Sequence, residues 1–580
     1  MCGIIGYTGE KRAAPLVLEG LKRLEYRGYD SFGIAVVSDS DLWVWKKRGK
    51  ISQVNPPVLR RKGRTAIGHT RWATHGEPSD ANAHPHTDCR GTIAIVHNGI
   101  IENYASIRRE LEGRGHTFRS ETDTEVIAHL VEEHFWGDLL SAVRAVLPQL
   151  EGSYAILAVA GGNEGIVAAR KESPLVIGVA DRACIAASDV TAILEHTDRV
   201  VYLEDGDVAT LLPSGPTIWH GGEQADRPVR KVDWDVAEVR LGGFAHYMQK
   251  EIYEQQSVFS STVRALYAEP IPDVLKDFSG ITLVACGTSY NACLFCQYLI
   301  EEYCGIPVRA EIASEFRYRT PPGGDLVVAV TQSGETADTL SALKQARMHN
   351  HPTLAVTNVL GSSITRLADY TLFMRAGPEI SVAATKSFIA ELAVFFYLAD
   401  VMGGGRLRKS VLSGHEAIGE ALLQDISPAV DLCRGAQSIF FVGRGPFFPL
   451  ALEGALKMKE ITYIHAEGYA AGEIKHGPFA LLSHKTPVIA LSPPGETFPA
   501  MVSNIREMKA RGVPLIVIGD GNSQELRDIA DVLIPLPDGD MVSAVLGAAV
   551  LLQLLAYRTA EALGREIDQP RNLAKSVTVE

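Results

Sequence analysis

The chain has 580 residues, of which 46% are hydrophobic and 22% charged, with a formal net charge of -13. That length exceeds what one hydrophobic core serves and suits about three domains of ordinary size. An acidic chain without a basic tract is a poor ligand for nucleic acid or for an anionic membrane surface, so neither partner is expected. A small anionic substrate stays open, because it needs only local donors.

Residues 1–12 have neither a basic n-region nor an apolar h-region, so no secretory signal is expected. The eight cysteines, at 2, 89, 184, 286, 293, 296, 304 and 433, are sparse and unpatterned, which suits a reducing cytoplasm. Short β-type runs at 32–37, 65–70, 92–96, 154–159 and 200–203 surround amphipathic helix patterns at 14–24 and 123–135. This mixture predicts an α+β layered domain. Residues 215–241 combine Gly-Gly, Pro and mixed charges without apolar periodicity and read as a linker; a helix pattern resumes over 244–266.

The pattern then becomes strand–helix–strand–helix. An apolar strand at 281–285 ends in Cys286-Gly287-Thr288-Ser289, and another at 326–330 ends in Thr331-Gln332-Ser333-Gly334-Glu335-Thr336. The arrangement repeats with strands at 438–442, ending in Gly443-Arg444-Gly445, and 487–491, ending in Ser492-Pro493-Pro494-Gly495. Two tandem α/β modules with parallel sheets are expected. The second has Pro-Pro where the first has Gln-Ser, so if one module binds an anion through that loop, it is the first. The apolar run 544–557, interrupted by Gln553, is too short to span a bilayer and reads as a buried helix.

Cys2 would carry both a thiol and the chain's α-amine once Met1 is removed, and the amine could take the thiol proton near neutral pH. Position alone equally allows a small residue of no special role. Asn98-Gly99, after the strand at 92–96, offers an amide and a backbone N–H to an oxyanion, and is equally a hairpin-turn signal. Asp123 could cap a helix. His69, His75, His84, His86 and His97 fall close together, but no pair has helical His-x-x-x-His spacing and no carboxylate completes a set. They read as pocket and turn histidines, and no metal or cofactor is expected. Cys293 and Cys296 read as packed.

Met1-Cys2-Gly3-Ile4, Tyr26-Arg27-Gly28-Tyr29-Asp30-Ser31, residues 69–76 and His97-Asn98-Gly99 together resemble the class-II glutamine amidotransferases, whose nucleophile is N-terminal. The resemblance implies an αββα glutaminase of the N-terminal-nucleophile (Ntn) type. In it Cys2 attacks the glutamine amide, Asn98 and Gly99 hold the oxyanion, and Arg71 binds the α-carboxylate and Asp123 the α-ammonium. Thr74 and His75 line the pocket, and Trp72 gates the ammonia path. Phe32 departs from the pattern, which has a small residue there; its ring either crowds Cys2 or is absorbed by repacking.

The loop 331–336 leads from a buried strand into a helix, so its hydroxyls, Gln332 and N–H groups suit a phosphate dianion; ordinary helix capping is the alternative. Glu453, Lys457 and Glu460 share one helix face, a solvated face by pattern alone. Lys575 lies in a polar tail.

These loops, with 315–319, 382–386, 452–464, 472–478 and 568–580, are similar to the sugar-isomerase (SIS) phosphosugar modules and to the amidotransferases that contain two of them. That resemblance implies a homodimer of bacterial type transferring ammonia from glutamine to fructose 6-phosphate, with isomerisation to glucosamine 6-phosphate. It casts Lys575 as the Schiff-base amine, Glu460 as proton shuttle, His476 as an aid to ring opening from the neighbouring subunit, and Lys457 as a charge stabiliser partnered by Glu453. Thr288, Ser289, Thr331, Gln332, Ser333 and Thr336 would hold the sugar phosphate, with backbone contacts from Val382 and Ala574. The implied boundaries are 2–217 for the glutaminase, 218–268 for linker and helix, 269–409 and 431–570 for the SIS modules, and 571–580 for a catalytic tail that orders over a dry ammonia passage. A deglycase would need no glutaminase, and a silent sensor would lack Glu460 or Lys575.

Overall fold

The structure, a computed structural model, describes residues 2–38, 41–54, 57–73, 75–232, 240–269, 271, 278–319 and 324–578. It divides into two compact units, Met1–Arg240 with Ala574–Glu580, and Leu241–Leu573.

The first unit is built from two antiparallel sheets. One has eight strands in the order Arg230–Lys231, Arg199–Tyr202, Val176–Ala180, Ala183–Ala187, Gly3–Gly9, Thr65–Arg71, Ser31–Ser38, Asp41–Arg48. The other has seven, in the order Glu223–Ala225, Gly215–His220, Asp207–Leu212, Ile166–Lys171, Gly152–Ala160, Ile93–Ile101, His86–Thr87. Period-two alternation gives each sheet two apolar faces. Ile4, Ala35, Val37 and Ile67 of one sheet meet Ala94, Val96, Leu157 and Ala168 of the other in a core between them. The outer face of the first sheet (Ile5, Phe32, Ile34, Val36) buries the helix Ala13–Arg23. The outer face of the second (Ile93, Ile95, Ile156, Ala158) buries the helices Tyr104–Gly113, Glu125–His134 and Leu139–Val146. The layers are therefore α, β, β, α. The expected linker at 215–241 is shorter than read. Gly215–His220 and Glu223–Ala225 form a hairpin through Gly221 and Gly222, both at positive φ, and Arg230–Lys231 pairs with Arg199–Tyr202. Residues 233–239 lie outside the described residues.

The second unit holds two five-stranded parallel sheets with the same order. The first runs Val308–Ile312, Ile281–Ala285, Leu326–Thr331, Thr353–Thr357, Tyr370–Phe373. The second runs His465–Ala470, Ser438–Gly443, Val488–Ser492, Leu515–Gly519, Val532–Pro535. In each, the chain reverses its winding direction between the first and third strands in sequence, and the crevice outside their carboxyl ends is where such sheets bind ligands. One core joins the modules through the helices Gly287–Cys304, Lys386–Met402, Phe447–Thr462 and Met541–Ala562. The last of these is 22 residues, longer than the run 544–557, and by length and composition could cross a membrane. It instead packs against Arg408–Leu422 and Phe447–Thr462 inside this core, as a buried helix.

Candidate active sites

Cys2 immediately precedes the strand Gly3–Gly9, which pairs with Thr65–Arg71 so that Gly3 faces Thr70. This register carries the thiol to Trp72. The Trp72 N–H donates to Cys2 Sγ at 3.2 Å, and Sγ lies 3.4 Å from the Trp72 carbonyl. Burial pushes the Cys2 thiol up, while the Trp72 amide and the Arg71 guanidinium act against it. Asn98 Nδ2 donates to the Cys2 carbonyl at 2.8 Å. Asn98 and Gly99 are not a hairpin turn: they sit inside the strand Ile93–Ile101, paired with Ala155 and Tyr154. Gly99 has φ +129, and an added Cβ would stand 2.1 Å from the Ser153 carbonyl oxygen, so the position needs glycine.

Arg71 is 3% exposed. Its Nη2 donates to the carbonyls of His75 and Gly76, whereas Nη1 is buried without a hydrogen-bond partner among the described residues. Such a guanidinium edge suits a carboxylate. Asp123 does not cap a helix. The helix Glu125–His134 starts two residues later, and Asp123 Oδ2 accepts the Ile101 N–H at 2.9 Å. Arg71 and Asp123 lie near enough to Cys2 to bias its ionisation in opposite senses. Trp72 meets Tyr29 edge-on at 5.6 Å, and His75 meets Tyr104 at 5.3 Å. Thr74 lies outside the described residues.

Of the five clustered histidines, four are core rather than pocket or turn residues: His69, His84, His86 and His97 are all buried. His69 stacks on His84 at 4.0 Å and bonds the His97 carbonyl through Nε2. His97 Nδ1 lies 2.9 Å from Thr124 Oγ1, and His86 Nε2 lies 3.0 Å from Thr122 Oγ1. Burial holds all four below the usual imidazole range, His69 down to about 3, so they form a neutral polar layer. Phe32 is absorbed rather than crowding: its ring packs edge-on against Trp45 at 5.3 Å in the core that buries Ala13–Arg23. Cys293 and Cys296 are buried in the helix Gly287–Cys304.

In the second unit, residues 286–289, which turn out to be the start of the helix Gly287–Cys304 rather than a loop, and the loop 331–336 follow the two strands that flank the first sheet's winding reversal. Thr336 is the N-cap of Ala337–Met348, yet its hydroxyl meets Thr331 Oγ1 at 2.8 Å instead of capping the backbone. Ser333 Oγ accepts the Glu335 N–H at 3.2 Å. Gly334 has φ +68, and a Cβ there would sit 2.1 Å from Ser362 Oγ. Thr288 Oγ1 donates to Glu453 at 3.0 Å, and Ser289 Oγ bonds Glu391 at 2.6 Å.

The Glu453, Lys457, Glu460 face is not solvated. Lys457 and Glu453 are 1% and 2% exposed, with Lys457 Nζ 2.6 Å from Glu460 and 3.5 Å from Glu453. Burial opposes the Lys457 charge, but the two carboxylates outweigh it and hold its pKa above the ordinary value. Asn291 Nδ2 donates to Glu453 at 2.8 Å. Two neighbours were missed in the sequence, Asn291 and Glu391. Glu391 is pushed up to about 8, first by burial, against the Ser289 hydrogen bond, and further by Glu453 and Glu379. A lone carboxylate amid Phe388-Ile389-Ala390 and Leu392-Ala393-Val394 was the available signal. Val382 is buried, with its N–H committed to the Asp568 carbonyl at 3.0 Å, which leaves only its carbonyl for a ligand. His476 is exposed at the end of the short turn Glu473–His476. Ala574 and half-buried Lys575 group with the first unit.

The family model of the glutamine amidotransferase domain matches residues 57–218, and that of the SIS domain matches 275–399 and 433–560. Glutamine–fructose-6-phosphate aminotransferases (isomerizing) from Methanosarcina acetivorans and Thermus thermophilus are 45% and 44% identical to this chain, over the whole of both proteins in each case. The chain belongs to this family. A solved C-terminal domain of the glucosamine-fructose-6-phosphate aminotransferase from Francisella tularensis aligns with a TM-score of 0.52 at 36% identity, covering 57% of this chain and 99% of that one. Family membership fixes the domain order as one glutaminase followed by two SIS modules, the order that the two layered sheets and the two parallel sheets carry here.

Proposed function

We propose that the protein transfers ammonia from glutamine to fructose 6-phosphate and isomerises the product, giving glucosamine 6-phosphate and glutamate. The observation that carries this reading is one chain bearing two kinds of prepared site. One is a thiol held at Trp72 beside Asn98, Arg71 and Asp123. The other is a buried carboxylate–ammonium cluster at the winding reversal of a parallel sheet.

In the glutaminase, the α-amine of Cys2, exposed by removal of Met1, takes the thiol proton, and the sulfur attacks the amide carbon. The Asn98 amide and Gly99 N–H receive the oxyanion. Arg71 Nη1 takes the α-carboxylate, Asp123 the α-ammonium, and Thr74 and His75 complete the pocket. The returned proton lets ammonia leave, and water cleaves the thioester to glutamate. Trp72 gates the ammonia, a role supported by its N–H lying 3.2 Å from the thiol.

At the sugar site, Thr288, Ser289, Thr331, Gln332, Ser333 and Thr336 hold the phosphosugar at two helix N-termini, with backbone contacts from Val382 and Ala574. His476 of a second subunit assists ring opening, and Lys575 condenses with the C2 carbonyl, losing water. Ammonia displaces the lysine. Glu460 then moves a proton from C1 to C2, while Lys457, with Glu453 as partner, steadies the developing charge. The working form is a homodimer. The eight unpaired cysteines favour a cytoplasmic setting.

The test is a paired assay on protein with a verified N-terminus. Glutamate and glucosamine 6-phosphate are quantified from glutamine with and without fructose 6-phosphate. Equal amounts of both, with glutamate release stimulated by the sugar, are expected. Glutamate without amino sugar would reject the assigned acceptor.

A further inference from the structure

A second cluster of chemistry-bearing side chains lies in the glutaminase unit, apart from the residues given a role above. Cys89 stands in the turn after the strand His86–Thr87, His116 in the segment after the helix Tyr104–Gly113, and His129 and Glu132 one turn apart on the helix Glu125–His134. One ligand atom from each lies within 4.8 Å of the other three. Cys89 Sγ is 3.5 Å from His116 Nδ1 and 3.5 Å from His129 Nδ1. Glu132 Oε2 is 3.2 Å from His116 Nδ1 and 3.3 Å from His129 Nδ1.

These separations match a tetrahedron around one ion. Metal–sulfur bonds of about 2.3 Å and metal–nitrogen or metal–oxygen bonds of about 2.0–2.1 Å put sulfur and nitrogen ~3.5 Å apart, and nitrogen and oxygen ~3.4 Å apart. The outer nitrogens supply a second, independent observation. His129 Nε2 faces Glu125 Oε1 at 3.8 Å, and His116 Nε2 faces Glu133 Oε1 at 3.5 Å. Neither separation is a hydrogen bond as it stands, and His129 Nε2 has no hydrogen-bond partner among the described residues, but a carboxylate behind each imidazole favours the proton on Nε2 and an inward Nδ1 lone pair, the outer arrangement that histidine ligands carry. Glu125 is itself fixed by the N–H groups of Arg119 and Ser120 and by Ser120 Oγ. The Cys89 turn is fixed by Asp88, which accepts from the N–H groups of Thr92 and Ile93.

We propose that Cys89, His116, His129 and Glu132 form a structural site for a divalent transition ion of the zinc class. Thiolate with imidazole selects such an ion over magnesium or calcium, and four protein ligands leave no open position for catalysis. Binding releases the Cys89 thiol proton to solvent and leaves both imidazoles neutral. The side chains of His116 and Glu132 are 12% and 18% exposed, which gives the ion a way in, whereas His129 is buried. The ion ties three segments together. One of them, the stretch from His116 to the helix, carries Asp123, so the ion steadies the wall on which Asp123 stands. Sequence spacing concealed the site, because its members are 27, 13 and 3 residues apart.

The full-length protein is stripped with a chelator, then titrated with Zn(II) and, separately, Co(II), and its metal content is measured. One ion per chain is expected, with Co(II) giving tetrahedral d–d bands and a thiolate-to-metal charge-transfer band. Cys89→Ser should lose the charge-transfer band, and His116→Gln should weaken binding by about tenfold or more. Chelation should lower the Tm of the parent protein and leave that of Cys89→Ser unmoved. Failure of the parent protein to retain either ion, or a charge-transfer band that survives in Cys89→Ser, would overturn the proposal. The parent titration decides the matter even if both variants fold poorly.

Discussion

Glu391 is a carboxyl group enclosed in an apolar helix, and its hydrogen-bond partner among the described residues is the Ser289 hydroxyl. With its pKa pushed up to about 8 from 4.5, it is protonated at neutral pH. A protonated Glu391 can donate to Ser289 Oγ and so aim the Ser289 hydrogen outward, toward a phosphate oxygen. Native protein keeps this proton over a window, from about 4.5 to about 8, in which the unfolded chain has released it. Stability from this group is therefore full below pH 4.5, falls as pH rises through that window, and is lost above about 8. Glu391→Gln should flatten that part of the profile, measured as the urea midpoint between pH 5 and 9. It should also remove a rise in KM for fructose 6-phosphate above pH 8. An unchanged slope in the variant would show that Glu391 ionises elsewhere in the pH range. Lys457 poses the converse case. Lys457→Met would leave Glu453 buried beside Glu460 without a cation, at a cost of about 3–5 kcal/mol at neutral pH. The cost should shrink as pH falls, because burial holds the Glu453 carboxyl above its ordinary value and it protonates first, as followed by urea unfolding. A loss under about 1 kcal/mol would mean that the pair is solvated after all. Both effects come from burial, which the sequence did not display. An i, i+4, i+7 charge pattern looks the same on a wet face as on a sealed one. The residue types were legible; their desolvation was a property of the helices packed over them.

At the scale of elements, the parallel modules were readable almost to the residue, because continuous apolar strands followed by Gly, Ser and Thr loops have few other structures open to them. The strand Ile281–Ala285 matches its expected bounds, and the repeat placed the second sheet. The antiparallel unit was harder. Asn98-Gly99 carries the local signature of a turn but continues a strand, since pairing to Tyr154 and Ala155 outweighs local preference. Residues 215–225 lack apolar periodicity because they form an edge hairpin with mostly exposed or half-buried positions. The loop 331–336, proposed to hold the sugar phosphate, depends on one backbone position. Gly334→Ala would force an L-residue to φ +68 and set its Cβ against Ser362 Oγ. Strain of about 1–2 kcal/mol is expected, and relief requires the loop to move. The variant should raise KM for fructose 6-phosphate roughly tenfold, the kinetic equivalent of about 1.4 kcal/mol, with sugar-independent glutaminase unchanged. Steady-state kinetics of both half-reactions check this; an unaltered KM would remove the loop from the sugar site.

The whole molecule is organised so that the chain changes unit twice, once after Arg240 and again after Leu573. The second change follows Asp568, whose carboxylate accepts the N–H groups of Tyr247 and Met248 at 2.8 and 2.9 Å. Asp568 thus caps the second unit's first helix, and the Arg571 N–H donates to the Tyr463 hydroxyl at 2.8 Å just before the tail that carries Lys575. Residues 574–580 then group with the glutaminase unit, although Glu453, Lys457 and Glu460 belong to the other. If Lys575 forms the Schiff base, sugar binding must act on a segment that also packs with the glutaminase. Deleting residues 576–580 keeps Lys575 but removes the part of the tail beyond it, including buried Ser576. That variant should still hydrolyse glutamine at near the parental basal rate. Stimulation by fructose 6-phosphate should fall, and the ratio of glucosamine 6-phosphate to glutamate should drop well below one as ammonia escapes to water. The paired product assay reads both quantities in one experiment. A ratio that stays at one would show that the tail beyond Lys575 has no part in coupling.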